Sequence, residues 1–250
     1  MIELQQANVI FNKGKQNEVY ALKSVDLSIP KGQFVVVIGS NGSGKSTMLN
    51  VISGSVQPNS GRILLNERDC TALPDYKRST YIARVFQNPL SGTAPDLSIV
   101  DNFRLAALRT QRKSLRIGLN TAFRNQVADR LAELGMGLEN KLDQPMGTLS
   151  GGQRQAITLL MSVMDDLHIL LLDEPTAALD PRSAETVMRI ANELIQRHQL
   201  TAVLITHNLK DVLAYGDRVI QMIEGTIERD IVSEAKKNLT ASEIYSWFMS

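Results

Sequence analysis

Residues 39 to 47 read Gly39-Ser40-Asn41-Gly42-Ser43-Gly44-Lys45-Ser46-Thr47, a spacing of glycines, lysine and hydroxyls that suits phosphate chemistry. The apolar run Phe34–Ile38 precedes it, and Met48, Leu49, Val51 and Ile52 recur after it at helical spacing. A strand, a glycine-rich loop ending in Gly-Lys-Ser, and a helix together make the P-loop pattern. Glycines let the chain turn tightly, so successive amide N–H groups point into one concave anion nest. The helix that opens near Lys45 adds the positive end of its dipole. Lys45 is a compact charge that can reach β- and γ-phosphates, and the Ser46 hydroxyl can ligate Mg²⁺. The plainer alternative is a glycine-rich turn with an unrelated lysine.

Other reactive side chains stand at the ends of apolar runs. Residues 169–172 are Ile-Leu-Leu-Leu and are followed by Asp173-Glu174. In open parallel sheets, ligands sit beyond the carboxyl ends of the strands. An aspartate there can hold Mg²⁺ through its water shell, because Mg²⁺ favours few carboxylates plus phosphate oxygens. The adjacent glutamate can take a proton from an attacking water. Strands also end in acidic residues for solubility, but the upstream P-loop makes this a Walker B strand. Gln87 ends a second run; its amide can orient a water or ligate Mg²⁺, and it cannot act as a base. Alone it is a polar surface residue. His207 ends a third run, Ile205-Thr206-His207, and can donate a hydrogen bond to a γ-phosphate. His168 and His198 have no partner motif and read as structural.

Leu149-Ser150-Gly151-Gly152-Gln153 is a separate feature. Ser150 and Gln153 stand at capping-box spacing, so Ser150 opens the next helix. The two glycines leave the first-turn amides bare, which makes a second anion site at a helix N-terminus. That site cannot serve the phosphate of the P-loop unless something brings the two together. Taken alone, it is a glycine-rich helix start.

The elements that position these residues follow from periodicity. Ile2–Phe11 reads as a first strand, residues 12–18 as a loop, and residues 20–29 as a half-buried strand with Val25, Leu27 and Ile29 alternating. Residues 62–65 form a short strand and residues 66–69 a polar turn. Strands on both sides of the P-loop, without helical crossovers, predict an antiparallel sheet beside the nucleotide core. Residues 81–86 read as a buried strand. From Asn88 to Thr148 strand patterns stop and helix formers dominate; Phe123, Val127, Leu131, Leu134 and Leu138 share helical spacing. Ser98 and Asp101 fit a capping-box start. After residue 150, strands alternate with helices, which predicts a parallel sheet. Val187, Ile190, Ala191, Leu194 and Ile195 form a helical core stripe. Thr240 and Glu243 mark a last helix carrying Ile244, Trp247 and Phe248. Arg109, Arg112, Lys113, Arg116 and Arg124 are a basic group that reads either as a solvated face or as a contact for an acidic partner or anionic lipid.

The chain's 250 residues suit one large α/β domain or a domain with an inserted subdomain. A hydrophobic content of 43% and a charged content of 21% are ordinary for a globular protein with a proper core. A net charge of +1 does not call for a nucleic-acid partner. No apolar run approaches membrane-spanning length, and the N-terminus lacks the pattern of a signal peptide. The single cysteine, Cys70, fits a reducing cytosol.

Assembled, these motifs resemble the ATP-binding-cassette (ABC) ATPases over nearly the whole chain. The order of P-loop, Q-loop (Gln87), signature (residues 149–153), Walker B (residues 169–174), D-loop (Ala178-Leu179-Asp180) and H-loop (His207) is similar to that family throughout. Leu-Ser-Gly-Gly-Gln is the motif that separates it from other P-loop NTPases. The resemblance implies an α/β fold: a P-loop NTPase core with a mainly parallel sheet, an antiparallel β-subdomain and an inserted α-helical subdomain. Residues 1–87 and 165–250 would form the core, and residues 88–164 the helical subdomain and signature helix. It implies Mg²⁺-dependent ATP hydrolysis, with Glu174, His207 and Gln87 catalytic and Ser46, Gln87 and Asp173 at the metal. It implies a head-to-tail homodimer in which Ser150, Gly151, Gly152, Gln153 and Asp180 of one copy meet the ATP held by the other. Phe11 matches the aromatic that stacks on adenine, with Tyr20 the second candidate and a plain core role the alternative for Phe11.

The resemblance further implies a peripheral subunit on the cytoplasmic face of the plasma (inner) membrane, docked on integral-membrane permease subunits. Ala156 and Met161 stand where many importer ATPases carry arginines, and residues 87–95 are unusual. These departures resemble a bacterial group that works with one permease type and a solute-binding lipoprotein, some members of which handle amino acids. The competing expectation is a non-transport ABC ATPase of a soluble complex, such as one for iron–sulfur assembly.

Overall fold

The computed structural model of the chain describes residues 1–108, 120–164 and 167–249. Arg109, Arg112, Lys113 and Arg116 lie outside the described residues, as does the Asp165-Asp166 break. Arg124 lies inside, and its guanidinium grips Asp143 with bonds of 2.9 and 2.6 Å.

In chain order, β1 (Ile2–Phe11) and β2 (Val19–Ile29) lead to β3 (Phe34–Ile38), then to α1 (Lys45–Ser53). β4 (Ser60–Leu65), β5 (Arg68–Asp69), α2 (Asp75–Arg78) and β6 (Ile82–Val85) follow. The helices α3 (Ile99–Ala107), α4 (Thr121–Ala132) and α5 (Gly151–Ser162) come next. The last part alternates: β7 (Ile169–Asp173), α6 (Pro181–His198), β8 (Thr201–Ile205), α7 (Leu209–Ala214), β9 (Arg218–Ile223), β10 (Thr226–Val232), α8 (Ser233–Lys237) and α9 (Ala241–Met249).

Two sheets result. One is antiparallel, in the order β2-β1-β4-β5. The other runs β10-β9-β3-β8-β7-β6; its strands are parallel except β10, which pairs antiparallel with β9. β3, β7 and β8 are apolar because the central strands of a parallel sheet are covered on both faces. Their side chains divide by parity. Phe34, Val36, Leu170, Leu172, Ala202 and Leu204 pack on the side of α5 and α6. Val35, Val37, Ile169, Leu171, Val203 and Ile205 pack toward α1 and the antiparallel sheet. The mixed sheet is therefore a middle layer with a core on each face.

The register lines up the strand ends. Val36, Leu204, Leu172 and Val85 form one row, and Val37, Ile205 and Asp173 the next. Gly39 after β3, Gln87 after β6, Glu174 after β7 and His207 after β8 thus emerge at one edge of the sheet.

Three elements differ from the sequence reading. The polar turn at residues 66–69 is a hairpin: Asn66 and Glu67 both take positive φ (51° and 65°), and Arg68–Asp69 pairs back on Leu64 and Leu65. Two left-handed residues are what a two-residue hairpin turn requires, and Asn-Glu hides that requirement. α2 and α8 span four and five residues, too few for a helical period to show.

Candidate functional site

The P-loop is fixed by what surrounds it. Gly39 has φ 148°, and a β-carbon there would stand 2.2 Å from the Met222 carbonyl oxygen. Gly44 has φ 101° and would meet the Ala21 carbonyl oxygen at 2.5 Å. No side chain larger than hydrogen fits either position, so the loop backbone stays bare. Gly44 caps α1 without any side-chain hydrogen bond. The first amides of α1 therefore lack side-chain partners, and helix geometry supplies none.

Lys45 is buried, and its Nζ donates to the carbonyls of Gly39 and Ser40, each at 2.8 Å. Among the described residues no carboxylate stands within ion-pair distance of it. Burial pulls its pKa below the ordinary lysine value, and the more distant Glu174 and Asp173 oppose that shift. The Ser43 hydroxyl is buried with no hydrogen-bond partner. A desolvated ammonium and an orphaned hydroxyl beside bare amides make a site that a polyanion would complete.

β7 delivers the acidic pair. Asp173 Oδ1 accepts a bond from Ser46 Oγ at 3.2 Å, and Oδ2 accepts one from Arg84 Nη2 at 2.5 Å. The oxygens of Ser46 and Asp173 meet as a hard-cation site needs. Among the described residues no cluster of three or more His, Cys, Asp or Glu could hold a metal ion alone. A divalent ion here would draw its remaining ligands from phosphate oxygens and water.

Glu174 sits at φ 47°, a conformation that costs a non-glycine residue about 1 kcal/mol or more and recurs at functional sites. Its N–H bonds to the Ile205 carbonyl at 3.0 Å, which seats the turn against β8. His207 Nε2 lies 2.8 Å from Glu174 Oε1. Behind it, Thr206 Oγ1 donates to Asp211 Oδ2 at 3.2 Å and accepts from the Asn208 N–H at 3.0 Å. Gln87 is exposed, two residues beyond the end of β6. The sheet edge thus gathers residues 39–47, Gln87, Asp173, Glu174 and His207.

Residues 150–153 form a second group. Ser150 and Gln153 close the expected capping box, with bonds of 3.1 and 3.3 Å. Gly151 lies against Leu179 and Gly152 against Ser183. Asp180 caps α6 by accepting from the Ser183 N–H at 3.1 Å, and bonds from Ser183 hold its carboxyl below the ordinary range. Ser150 and Asp180 therefore share a patch. Among the described residues no hydrogen bond joins that patch to residues 39–47.

Phe11 is 39% exposed, so the core alternative is set aside. It pairs with Val19 at the end of β1, one residue from Tyr20 and two from Ala21, whose carbonyl covers Gly44. Tyr20 is also exposed, and the nearby Glu18 carboxylate raises its pKa above the ordinary tyrosine value.

The sequence reading missed three side chains. Gln155 donates to the carbonyls of Phe86 and Pro175, each at 2.9 Å, tying α5 to the residues beside Gln87 and Glu174. Arg84 bridges Asp173 and Asn50. Arg78 is fully buried and donates to carbonyls at the end of α1 and in residues 70–73. No single-chain pattern marks a polar residue as buried; the one available signal was that Arg84 interrupts an otherwise apolar strand.

A P-loop at the edge of a mixed sheet, with an Asp-Glu pair and a histidine beside it, defines a nucleotide-hydrolysing cassette. The chain matches the ABC transporter family over residues 22–177. It is 39% identical over 235 residues to the tyrosine transport ATP-binding protein of Clostridioides difficile, covering 94% of this chain and 92% of that one. It is 32% identical over 232 residues to the methionine import ATP-binding protein MetN of Protochlamydia amoebophila, covering 91% of this chain and 65% of that one. Its fold is similar to the dimeric post-hydrolysis structure of the ATP-binding cassette MJ0796 bound to ADP and Pi, with a TM-score of 0.80, 29% identity, and coverage of 93% and 98%. The chain belongs to the ABC transporter family, as an ATP-binding and ATP-hydrolysing subunit. Among the described residues no helix is long and apolar enough to cross a membrane.

Proposed function

We propose that the chain powers uptake of a small solute of the amino-acid class into a bacterial cell, as a peripheral subunit on the cytoplasmic face of the plasma (inner) membrane. The observation that carries the mechanical half of this reading is the separation of two anion sites. One patch has the P-loop's hydrogen-bond donors to phosphate, the acidic pair and His207, while the glycine-bearing helix start at Ser150 lies with Asp180 on another patch. Each patch is half a site. A second copy, turned head to tail, completes both halves and makes two whole sites. The dimeric MJ0796 cassette supports this arrangement. Tyrosine transport and methionine import, named for two relatives, support the solute class.

The roles follow from position. The amides of residues 39–47 and Lys45 bind the ATP phosphates, and Phe11 stacks on the adenine. Ser46 Oγ, Asp173 through water, and the Gln87 amide would hold Mg²⁺, whose charge would offset that of the phosphate oxygens. Glu174 takes the proton of the attacking water. His207 leaves Glu174 and donates to the γ-phosphate. Ser150, Gly151, Gly152, Gln153 and Asp180 approach from the partner copy. ATP binding closes the dimer, and hydrolysis with product release reopens it. Permease subunits docked beside Gln87 and the helices of residues 88–164 follow that cycle, and a solute-binding lipoprotein feeds them.

The test is purification from detergent-solubilised membranes. The expected result is copurification with a polytopic permease, and amino-acid-stimulated ATPase activity once the binding protein is added. Recovery only in a soluble assembly complex overturns the transport reading.

A further inference from the structure

Arg84 is the one charged residue of β6, which is otherwise Ile, Ala and Val. Its side chain is 12% exposed. Register places it beside Leu171, two positions before Asp173 on the neighbouring strand. One guanidinium nitrogen, Nη2, donates to Asp173 Oδ2 at 2.5 Å. The other, Nη1, donates to the side-chain oxygen of Asn50 on α1. The guanidinium also lies 4.8 Å from the centre of the Phe86 ring, next to Gln87. Ser46 holds the other Asp173 oxygen, Oδ1. The carboxylate is thus clamped from two sides, by the P-loop helix and by β6, the strand that leads to Gln87.

A purely stabilising role would be served better by an apolar side chain. A buried ion pair recovers little beyond its desolvation cost. Here the Nε–H of Arg84 is in addition buried without an acceptor. What the fork geometry of arginine supplies, and lysine does not, is two directed bonds to two partners.

We propose that Arg84 is a positioning residue: it fixes the rotamer of Asp173 for the metal and carries displacement of the Gln87 strand to that carboxylate. This rests on the reading of Ser46 and Asp173 as a Mg²⁺ site. The consequence is a specific energetic link. The partners of Arg84 are Asn50, Asp173 and the Phe86 ring, not residues 39–47 or Phe11, so it acts on nucleotide binding through Asp173 and hence through the part that depends on the metal. By linkage, that part is the ratio of nucleotide affinities with and without Mg²⁺.

The experiment measures binding of a fluorescent ATP analogue to wild type, Arg84→Met, Arg84→Lys and Asn50→Ala, in Mg²⁺ and in EDTA. Arg84→Met is expected to cut the Mg²⁺-dependent gain about tenfold, the scale seen when partners of metal ligands are lost. Its affinity in EDTA is expected to stay within about twofold of wild type. Arg84→Lys is expected to recover part of the gain. Asn50→Ala, which cuts the far anchor and leaves the ion pair, is expected to shift the gain in the same direction by less, and it carries the test if Arg84→Met does not fold. An unchanged gain in Arg84→Met, or an equal loss with and without Mg²⁺, overturns the proposal. A wild type with no Mg²⁺-dependent gain overturns the metal site itself, and the proposal with it.

Discussion

Replacing Gln155 by methionine removes one amide and tests how the helix behind Ser150 is joined to the catalytic edge. The side chain is 1% exposed, and its nitrogen donates to the carbonyls of Phe86 and Pro175 at 2.9 Å each. Both neighbours are acceptors, so only the amide nitrogen can face them. Methionine keeps the length of the side chain and loses both donors. Each carbonyl left buried and unpaired costs about 1–3 kcal/mol, and the apolar side chain returns part of that, for a net loss of about 2–4 kcal/mol. At about 2–4 °C per kcal/mol for a chain of this size, the melting temperature falls by roughly 5–15 °C.

The kinetic signature is separate. The Phe86 carbonyl precedes Gln87, and the Pro175 carbonyl follows Glu174. Loosening both shifts the groups that act on water while leaving the P-loop alone. The expected result is a fall in kcat of about tenfold, equal to about 1.4 kcal/mol of transition-state stabilisation, with KM for ATP within about twofold of wild type. Thermal unfolding, and steady-state phosphate release at a fixed temperature below the transition, measure the two effects. A variant that melts within about 2 °C of wild type, or one that loses activity only through KM, refutes the reasoning.

Glu174→Gln keeps shape and removes the proposed proton acceptor; hydrolysis should fall by roughly 10²-fold or more while ATP binding persists. Gel filtration with ATP should then show a stable dimer, and turnover near wild type would remove Glu174 from the base role. Ser150→Arg should leave ATP binding by the monomer intact and block that dimer, read in the Glu174→Gln background. Arg78→Met strips five donated bonds from carbonyls of Val51, Ile52, Cys70, Thr71 and Leu73. It should cost about 3–5 kcal/mol in urea unfolding with KM for ATP little changed; Arg78→Lys should not restore stability, because an ammonium lacks the fork that reaches both groups of carbonyls.

The motifs gathered at the sheet edge and at Ser150 were legible because each is local in sequence. The P-loop, the Asp-Glu pair and the Ser150 capping box are read from neighbouring residues, and the structure closes that box with both of its bonds. The strands were legible because burial on two faces demands unbroken apolar runs, as in β3 and β8. What stayed hidden was long-range and polar. Gln155 meets partners 69 and 20 residues away, and Arg84 meets Asp173 89 residues away. Nothing at positions 84 or 155 announces those partners. Arg78 stands in a polar stretch of sequence, yet it is buried and donates to carbonyls at the end of α1, a task that local pattern assigns to a glycine cap.

The hidden contacts bear on how the two half-sites could act as one machine. Glu174 is seated in a strained turn, and its carboxylate is engaged by His207. Such a residue needs a rigid frame, because a shift of about 1 Å at a reacting group can cost 10²-fold in rate. Its neighbours supply the frame. Asp173 on one side is clamped by Ser46 and Arg84, and Pro175 on the other is held by Gln155. Arg84 and Gln155 also share a contact: the first stacks on the Phe86 ring, and the second binds the Phe86 carbonyl. Phe86 is therefore the point where the strand leading to Gln87, the metal-side carboxylate and the helix behind Ser150 meet. Asp173 and Pro175, on either side of Glu174, are thus each joined to Phe86 by a single side chain, Arg84 and Gln155.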